Sequence, residues 1–176
     1  MTKYCSKNDQ NSRVDMHHLM EIIRRNFRLD WQGVHGAAHW GRVLRNGMLV
    51  AANSGADTEV VRLFALLHDS CREDEWEDEE HGHRAAELAC KLRNRCFEVS
   101  DSQFTKLVFA LSGHSSGGLS KDVTVQTCWD ADRLDLGRVG IVPNKKYLSR
   151  YAHPYIDQSY EWSIGLSLKE SHYVAP

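Results

Sequence analysis

The chain has 176 residues, a length that suits one domain with a core of its own and falls short of two ordinary ones. Its 22 Lys and Arg against 24 Asp and Glu give a formal charge of -2, which excludes an overall basic field for long nucleic acid but permits a small phosphorylated ligand met by a few local cations. No apolar run approaches the roughly 20 residues of a membrane-spanning helix, the N-terminal MTKYCSKNDQNSR is too polar for a secretory signal, and the five cysteines, without a CxxC pair, suit a reducing cytosol, so a cytoplasmic protein is expected.

Residues 1–12 read as a polar tail and residues 13–176 as the folded unit. From Val14 onward, Leu19, Ile22, Ile23 and Phe27 recur at helical spacing, which predicts a first amphipathic helix ending near Asp30. A second helix is expected from Ala37 to Asn53, with Trp40, Val43, Leu44, Gly47 and Ala51 on one side and Gly55 as its stop. Asp57 can cap a third, whose stripe of Val61, Phe64, Ala65 and His68 delivers His68 and Asp69 into the interior at its C-terminal end. The acidic run from Glu73 to Glu80 should stay solvated, with Trp76 as its one hint of a lid.

A fourth helix is predicted over about 80–95. Ser100 with Gln103 makes a capping box for a fifth that carries Phe104, Leu107, Val108 and Leu111. Gly113, Gly117 and Gly118 mark a loop. A sixth helix is expected over Asp122–Leu136, although the β-branched Val123, Thr124 and Val125 locally favour a short strand. The remainder mixes Gly, Pro, Tyr and Ser and offers one helix, near Lys145–Tyr151. The fold class is therefore all-α, a single bundle of about six or seven helices.

The histidines number ten, and their positions on the helices say more than the count. His81 shares a face with Ala85, Leu88, Leu92 and Cys96, so the apolar stripe draws it inward while His83 points away. A shift of local helix phase would exchange the two. His39 borders the Val43 side of the second helix, His68 and Asp69 close the third, and His114 follows the fifth, so imidazoles from four helices converge. Asp130 and Asp132 face nearly opposite ways on a helix, and only one of them can join this cluster, where a buried carboxylate needs a partner or a metal. A mixed set of His and Asp without thiolate suits a divalent ion (Mn, Fe, Co, Ni, Zn or Mg) and hydrolytic chemistry, in which a bound water becomes a nucleophile near neutral pH.

The segments HWGRV, LLHDSCR, HGHRAAELA, GHSSG and DADRLD, spread over residues 35–140, resemble in order and spacing the HD-domain phosphohydrolase superfamily. The resemblance implies an all-helical HD fold in which His39, His68, Asp69 and Asp132 hold one metal. His81 and His114 resemble the branch with an extended H, HD, H, H, D pattern and two metals, in which Asp69 would bridge the ions. The runs around His81 and His114 look most like small bacterial HD enzymes that hydrolyse nucleotides and dinucleoside polyphosphates.

Arg72, one helical turn after Asp69, is a candidate catalytic and phosphate-contacting residue, and Arg42 and Arg133 are further candidate phosphate contacts. His35 could reach a substrate, but Gly33 and Gly36 on either side read as a turn that simply caps the helix. The expected activity is metal-dependent hydrolysis of a small phosphate ester or anhydride, nucleotide-like in class. Two alternatives differ in class: a non-catalytic module that binds metal and nucleotide, and a di-iron oxygenase on the same scaffold.

Overall fold

The computed structural model describes residues 13–171, so the polar stretch 1–12 lies outside the described residues. A two-residue strand β1 (Arg13–Val14) pairs antiparallel with β2 (Phe97–Glu98), and among the described residues everything else regular is helical. Helix α1 (Met16–Asn26) starts where the Asp15 carboxylate accepts from the His18 N–H, and it ends four residues before the predicted boundary because Phe27 turns extended.

Helix α2 (Ala37–Ser54) is bounded by glycines at both ends. Gly55 takes the left-handed conformation at φ 75°, and a side chain on Gly36 would meet the Trp31 carbonyl at 2.2 Å, so only glycine lets the preceding loop turn there. Helix α3 (Thr58–Leu67) begins on the Asp57 cap and buries every residue from Val60 to Leu67 except Arg62. Such a helix, apolar nearly all round, belongs at the centre, and α2, α5 (Asp101–Gly113) and α6 (Val123–Arg133) surround it. Its contact with α2 is close because a side chain on Gly47 would lie 2.5 Å from Val61 Cγ1. Fully buried residues such as Phe64 and Leu67 each contribute about 1.5–3 kcal/mol by leaving water.

Helix α4 (His81–Leu92) packs on α5, whose N-terminus carries the Ser100–Gln103 capping box in both directions. Residues 123–125 are helical in α6 and not a strand, since Asp122 accepts from the N–H groups of Thr124 and Val125 and tertiary packing overrides the β preference.

The C-terminal part departs from expectation. Lys145–Tyr147 is a single 3-10 turn, and a seventh helix that the sequence did not announce, α7 (Ile156–Ser171), closes the bundle. Its inward face is built from serines: Ser159 donates to Asn46 of α2 at 3.0 Å and Ser163 to Asp135 at 2.7 Å. A stripe of small hydroxyls does not register as an apolar period, which is why this helix was illegible. Among the described residues no helix is long and apolar enough to cross a membrane.

Candidate metal centre

Six side chains meet where the helices end. His39 stands in the first turn of α2, His68 caps α3 with Asp69 directly after it, His81 opens α4, His114 closes α5, and Asp132 lies in the last turn of α6. All but Asp132 are buried, and the Asp132 side chain is 18% exposed, which marks the side from which the cluster can be reached.

Asp69 divides the cluster. Its Oδ2 lies 3.4 Å from His39 Nε2 and 3.5 Å from His68 Nε2, while its Oδ1 lies 3.4 Å from His81 Nε2 and 3.7 Å from His114 Nε2. Asp132 Oδ1 joins the first group, 3.5 Å from His39 Nε2 and 3.9 Å from His68 Nε2.

The other ring nitrogen of each histidine decides what the Nε2 atoms can do. His68 Nδ1 donates to the Ala65 carbonyl at 3.2 Å, His114 Nδ1 to the Leu111 carbonyl at 2.8 Å, and His81 Nδ1 to the Asp78 carbonyl. His39 Nδ1 donates to the Asp135 carboxylate at 2.7 Å. Carbonyl and carboxylate oxygens only accept, so in a neutral ring each Nε2 presents a lone pair. Those lone pairs face one another in couples, His39 to His68 at 3.0 Å and His81 to His114 at 2.8 Å. Two acceptors so close, beside a carboxylate, are reconciled by a cation between them, either a shared proton or a metal ion. The donor set fits a divalent ion of the Zn, Mn, Fe, Co or Ni type.

The electrostatics agree. Burial pushes the His68 imidazole down to about 3, although Asp69 and Asp132 pull the other way. Burial and the neighbouring His114 also lower His81. For Asp69 burial would raise the pKa, but the neighbouring His68, with His114 and His39, holds it well below the carboxylate range. Asp132 is held at about 2 against burial, mainly by His68, Arg138 and His39. His114 is raised despite burial, through its contact with Asp69. The lowered His68 and His81 and the lowered Asp69 and Asp132 are in the protonation states that metal binding requires, whereas the raised His114 would have to release a proton to a metal.

No protein-family model and no curated protein matches the sequence. Among solved structures the chain is similar to a predicted HD superfamily hydrolase from an uncultured Thermotogales bacterium, with a TM-score of 0.66 and 21% identity over 92% of this chain and 94% of that one. The chain has the HD fold. That fold and its His and Asp groups together make this a candidate divalent-metal site.

The geometry of the HD fold separates the pairs that the sequence left open. His81 is buried in the cluster and His83 is exposed. Asp132 faces His39 and His68, whereas Asp130 turns away to accept from Gln126 at 2.8 Å and from the Ser149 N–H at 3.0 Å.

The three arginines part company. Arg72 stays at the site, its Nε donating to Asp69 Oδ1 at 3.2 Å and Nη1 to the Asp74 carbonyl at 3.1 Å. Arg42 does not stand free for a phosphate: it is buried beneath the cluster with Nε on Asp135 at 2.7 Å, because the inward face of α2 carries it under His39. Arg133 is buried too, directed to the Tyr147 carbonyl at 2.7 Å and lying over the Trp129 ring.

Two supporting residues escaped the sequence. Asp135 accepts from His39, Arg42 and Ser163 and so orients the His39 ring. Its place one turn after Asp132 was a signal, but its partners stand 96, 93 and 28 residues away. The second is Glu75, whose carboxylate lies 2.5 Å from His35 Nδ1, and His35 is buried.

The acidic run is therefore more than solvated surface. Glu75 reaches His35, Glu73 pairs with Arg28 at 2.6 Å, and Asp78 binds Arg84 through both oxygens while its carbonyl holds His81. Trp76, at 88% exposure, touches none of this.

Proposed function

We propose that the protein is a divalent-metal-dependent phosphohydrolase acting on a small phosphate ester or anhydride, with two ions per chain sharing Asp69. The observation that carries this reading is the division of the Asp69 carboxylate, one oxygen toward His39 and His68 and the other toward His81 and His114. The hydrolase description of the Thermotogales structure is in keeping with it.

When bound, divalent ions supply Lewis acidity toward a phosphoryl oxygen and lower the pKa of a water toward neutrality. The chain's own groups do the rest. Asp69 sets the spacing of the two donor groups. Arg72, permanently cationic and anchored by Nε on Asp69, holds phosphate oxygens at the rim through its remaining N–H groups. Arg72 cannot transfer a proton near neutral pH, so the proton would pass through the His35–Glu75 pair, the neutral imidazole accepting it from the attacking water and handing it to the leaving oxygen; the pair stands beside His39 with ring centroids 6.2 Å apart. With a formal charge of -2 the partner is a small phosphorylated molecule rather than a long nucleic acid.

The test is elemental analysis of the purified protein beside a phosphate-release screen with Mn, Co, Ni, Zn, Mg and Fe(II). Two ions per chain and turnover that disappears in Asp69→Ala are expected. A protein that holds no metal and releases no phosphate under any of these conditions would sink the proposal.

A further inference from the structure

Two guanidiniums are pinned beside the cluster in the same way. Arg72 donates through Nε to Asp69 Oδ1 at 3.2 Å and through Nη1 to the Asp74 carbonyl at 3.1 Å. Arg138, in the 3-10 turn Leu136–Val139 that follows α6, donates through Nε to the Val34 carbonyl at 3.1 Å and through Nη1 to the Asp135 carbonyl at 3.2 Å. Their side chains are 11% and 8% exposed. In both, Nη2 makes no hydrogen bond among the described residues and is open to solvent, whereas the spare nitrogens of Arg42 and Arg133 are enclosed.

The pair brackets the cluster. Arg72 sits on Asp69 Oδ1, the oxygen that faces His81 and His114, while Arg138 sits by Asp135, which backs His39, with Nη1 4.0 Å from that carboxylate. Both charges reach His35: burial is the main cause that lowers it, and Arg72 and Arg138 add to the effect. Against burial, Asp132 is held at about 2 by His68 first, by Arg138 next and by His39 after that, although His39 Nε2 is only 3.5 Å away. Asp132 marks the open side of the cluster, so Arg138 stands where a ligand enters.

A guanidinium already oriented by two hydrogen bonds loses little freedom when it meets an anion. A terminal phosphoryl group carries about 1.5 to 2 negative charges near neutral pH and three unesterified oxygens. A phosphodiester carries one charge and two such oxygens. We propose that Arg138 is the second oxyanion contact of this site, and that Arg72 and Arg138, on opposite sides of the cluster, select a terminal phosphoryl group over the internal phosphate of a diester. The third unesterified oxygen gives the second arginine its partner; once esterified, it sets an alkyl group against that nitrogen instead. Selection between substrates rests on the hydrolase reading. Contact of Arg138 with an oxyanion does not.

Arg138→Gln removes the charge, and Arg138→Lys keeps it without the planar fork. With 4-nitrophenyl phosphate and its methyl diester as substrates, kcat/KM for the monoester should fall about 10–100-fold in Arg138→Gln, as expected for a lost charged hydrogen bond. The diester should be little changed, and Arg138→Lys should lie in between. Metal content and circular dichroism should match those of the unsubstituted protein. Independently of turnover, inorganic phosphate and dimethyl phosphate are titrated by calorimetry into the protein as purified. Phosphate affinity should fall by a similar factor in Arg138→Gln, and dimethyl phosphate affinity should not.

Equal losses on monoester and diester, or loss of metal in Arg138→Gln, would make Arg138 a support of Asp135 and the Val34 turn and overturn the proposal. Phosphate bound equally by both proteins, or by neither, would do the same. If neither ester is hydrolysed while phosphate affinity still falls in Arg138→Gln, the hydrolase reading fails and the oxyanion contact stands.

Discussion

The two halves of the candidate metal centre are built differently. On the His39 side, Asp69 Oδ2 is joined by two imidazoles and by Asp132, and the His39 ring is backed by the buried Asp135 carboxylate, itself held by Arg42 and Ser163. On the His81 side there are three donors, and both rings lean on backbone carbonyls, those of Asp78 and Leu111. A carboxylate behind an imidazole raises its basicity more than a neutral carbonyl does. On the two-ion proposal, the first half would hold its ion more tightly than the second, which hangs from the acidic loop.

The largest break in that comparison is His81→Ala. It should leave one tightly held ion per chain, reduce the ion count from two to one, and abolish phosphate release; loss of both ions would show that the halves are not independent. Asp135→Asn sharpens the contrast from the other side. Affinity for the tighter ion should fall about 10–100-fold in chelator competition while the weaker one is unmoved. Equal losses at both would mean that Asp135 supports the fold rather than one half.

Gly82→Ala tests how the second half is spaced. A Cβ there would lie 2.5 Å from the Leu111 carbonyl and 3.4 Å from the His114 ring, so α4 must move off α5. Overpacking of this kind costs about 1–3 kcal/mol, readable as a lower denaturation midpoint, with the looser ion weakened as well.

The smallest effect is on the pH dependence of the metal-stripped protein. His68 is held at about 3 by burial, and His81 and His35 are lowered by the same cause, so the unfolded chain takes up protons that the folded one refuses. Their contribution is present above the ordinary histidine value of 6.5 and is lost as pH falls from there toward 3. The low pKa of Asp69 and Asp132 extends the loss below 3.8. His114, raised by Asp69, works the opposite way and softens the slope. Melting should therefore occur at a lower temperature at pH 5 than at pH 7.5. A flat profile would contradict the burial of neutral imidazoles.

Helices α1 to α6 were legible because each buries a continuous apolar stripe or carries a cap of recognisable chemistry, as Asp57, Ser100 and Asp122 do. The metal-centre candidates could be named because His81 and His68 share faces with core residues, and a face is a local property of spacing. Helix α7 and the Arg42 role were not legible. A helix that docks through Ser159 and Ser163 has no hydrophobic period, and an arginine on an inward face looks the same in sequence whether it meets a phosphate or a buried Asp135.

What the sequence by itself determined, then, is the set of periodic helices and the residues that each turns inward, since both follow from 3.6-residue repetition within a short window. Only the tertiary structure decided that Asp69 stands between two histidine pairs, that Asp132 rather than Asp130 faces them, that Asp135 backs His39, and that Glu75 crosses to His35. Apart from those of Asp69 with His68 and His81, these are contacts between residues 28 to 96 positions apart, set by the packing of whole helices, and nothing in a local stretch of chain encodes the distance between their ends.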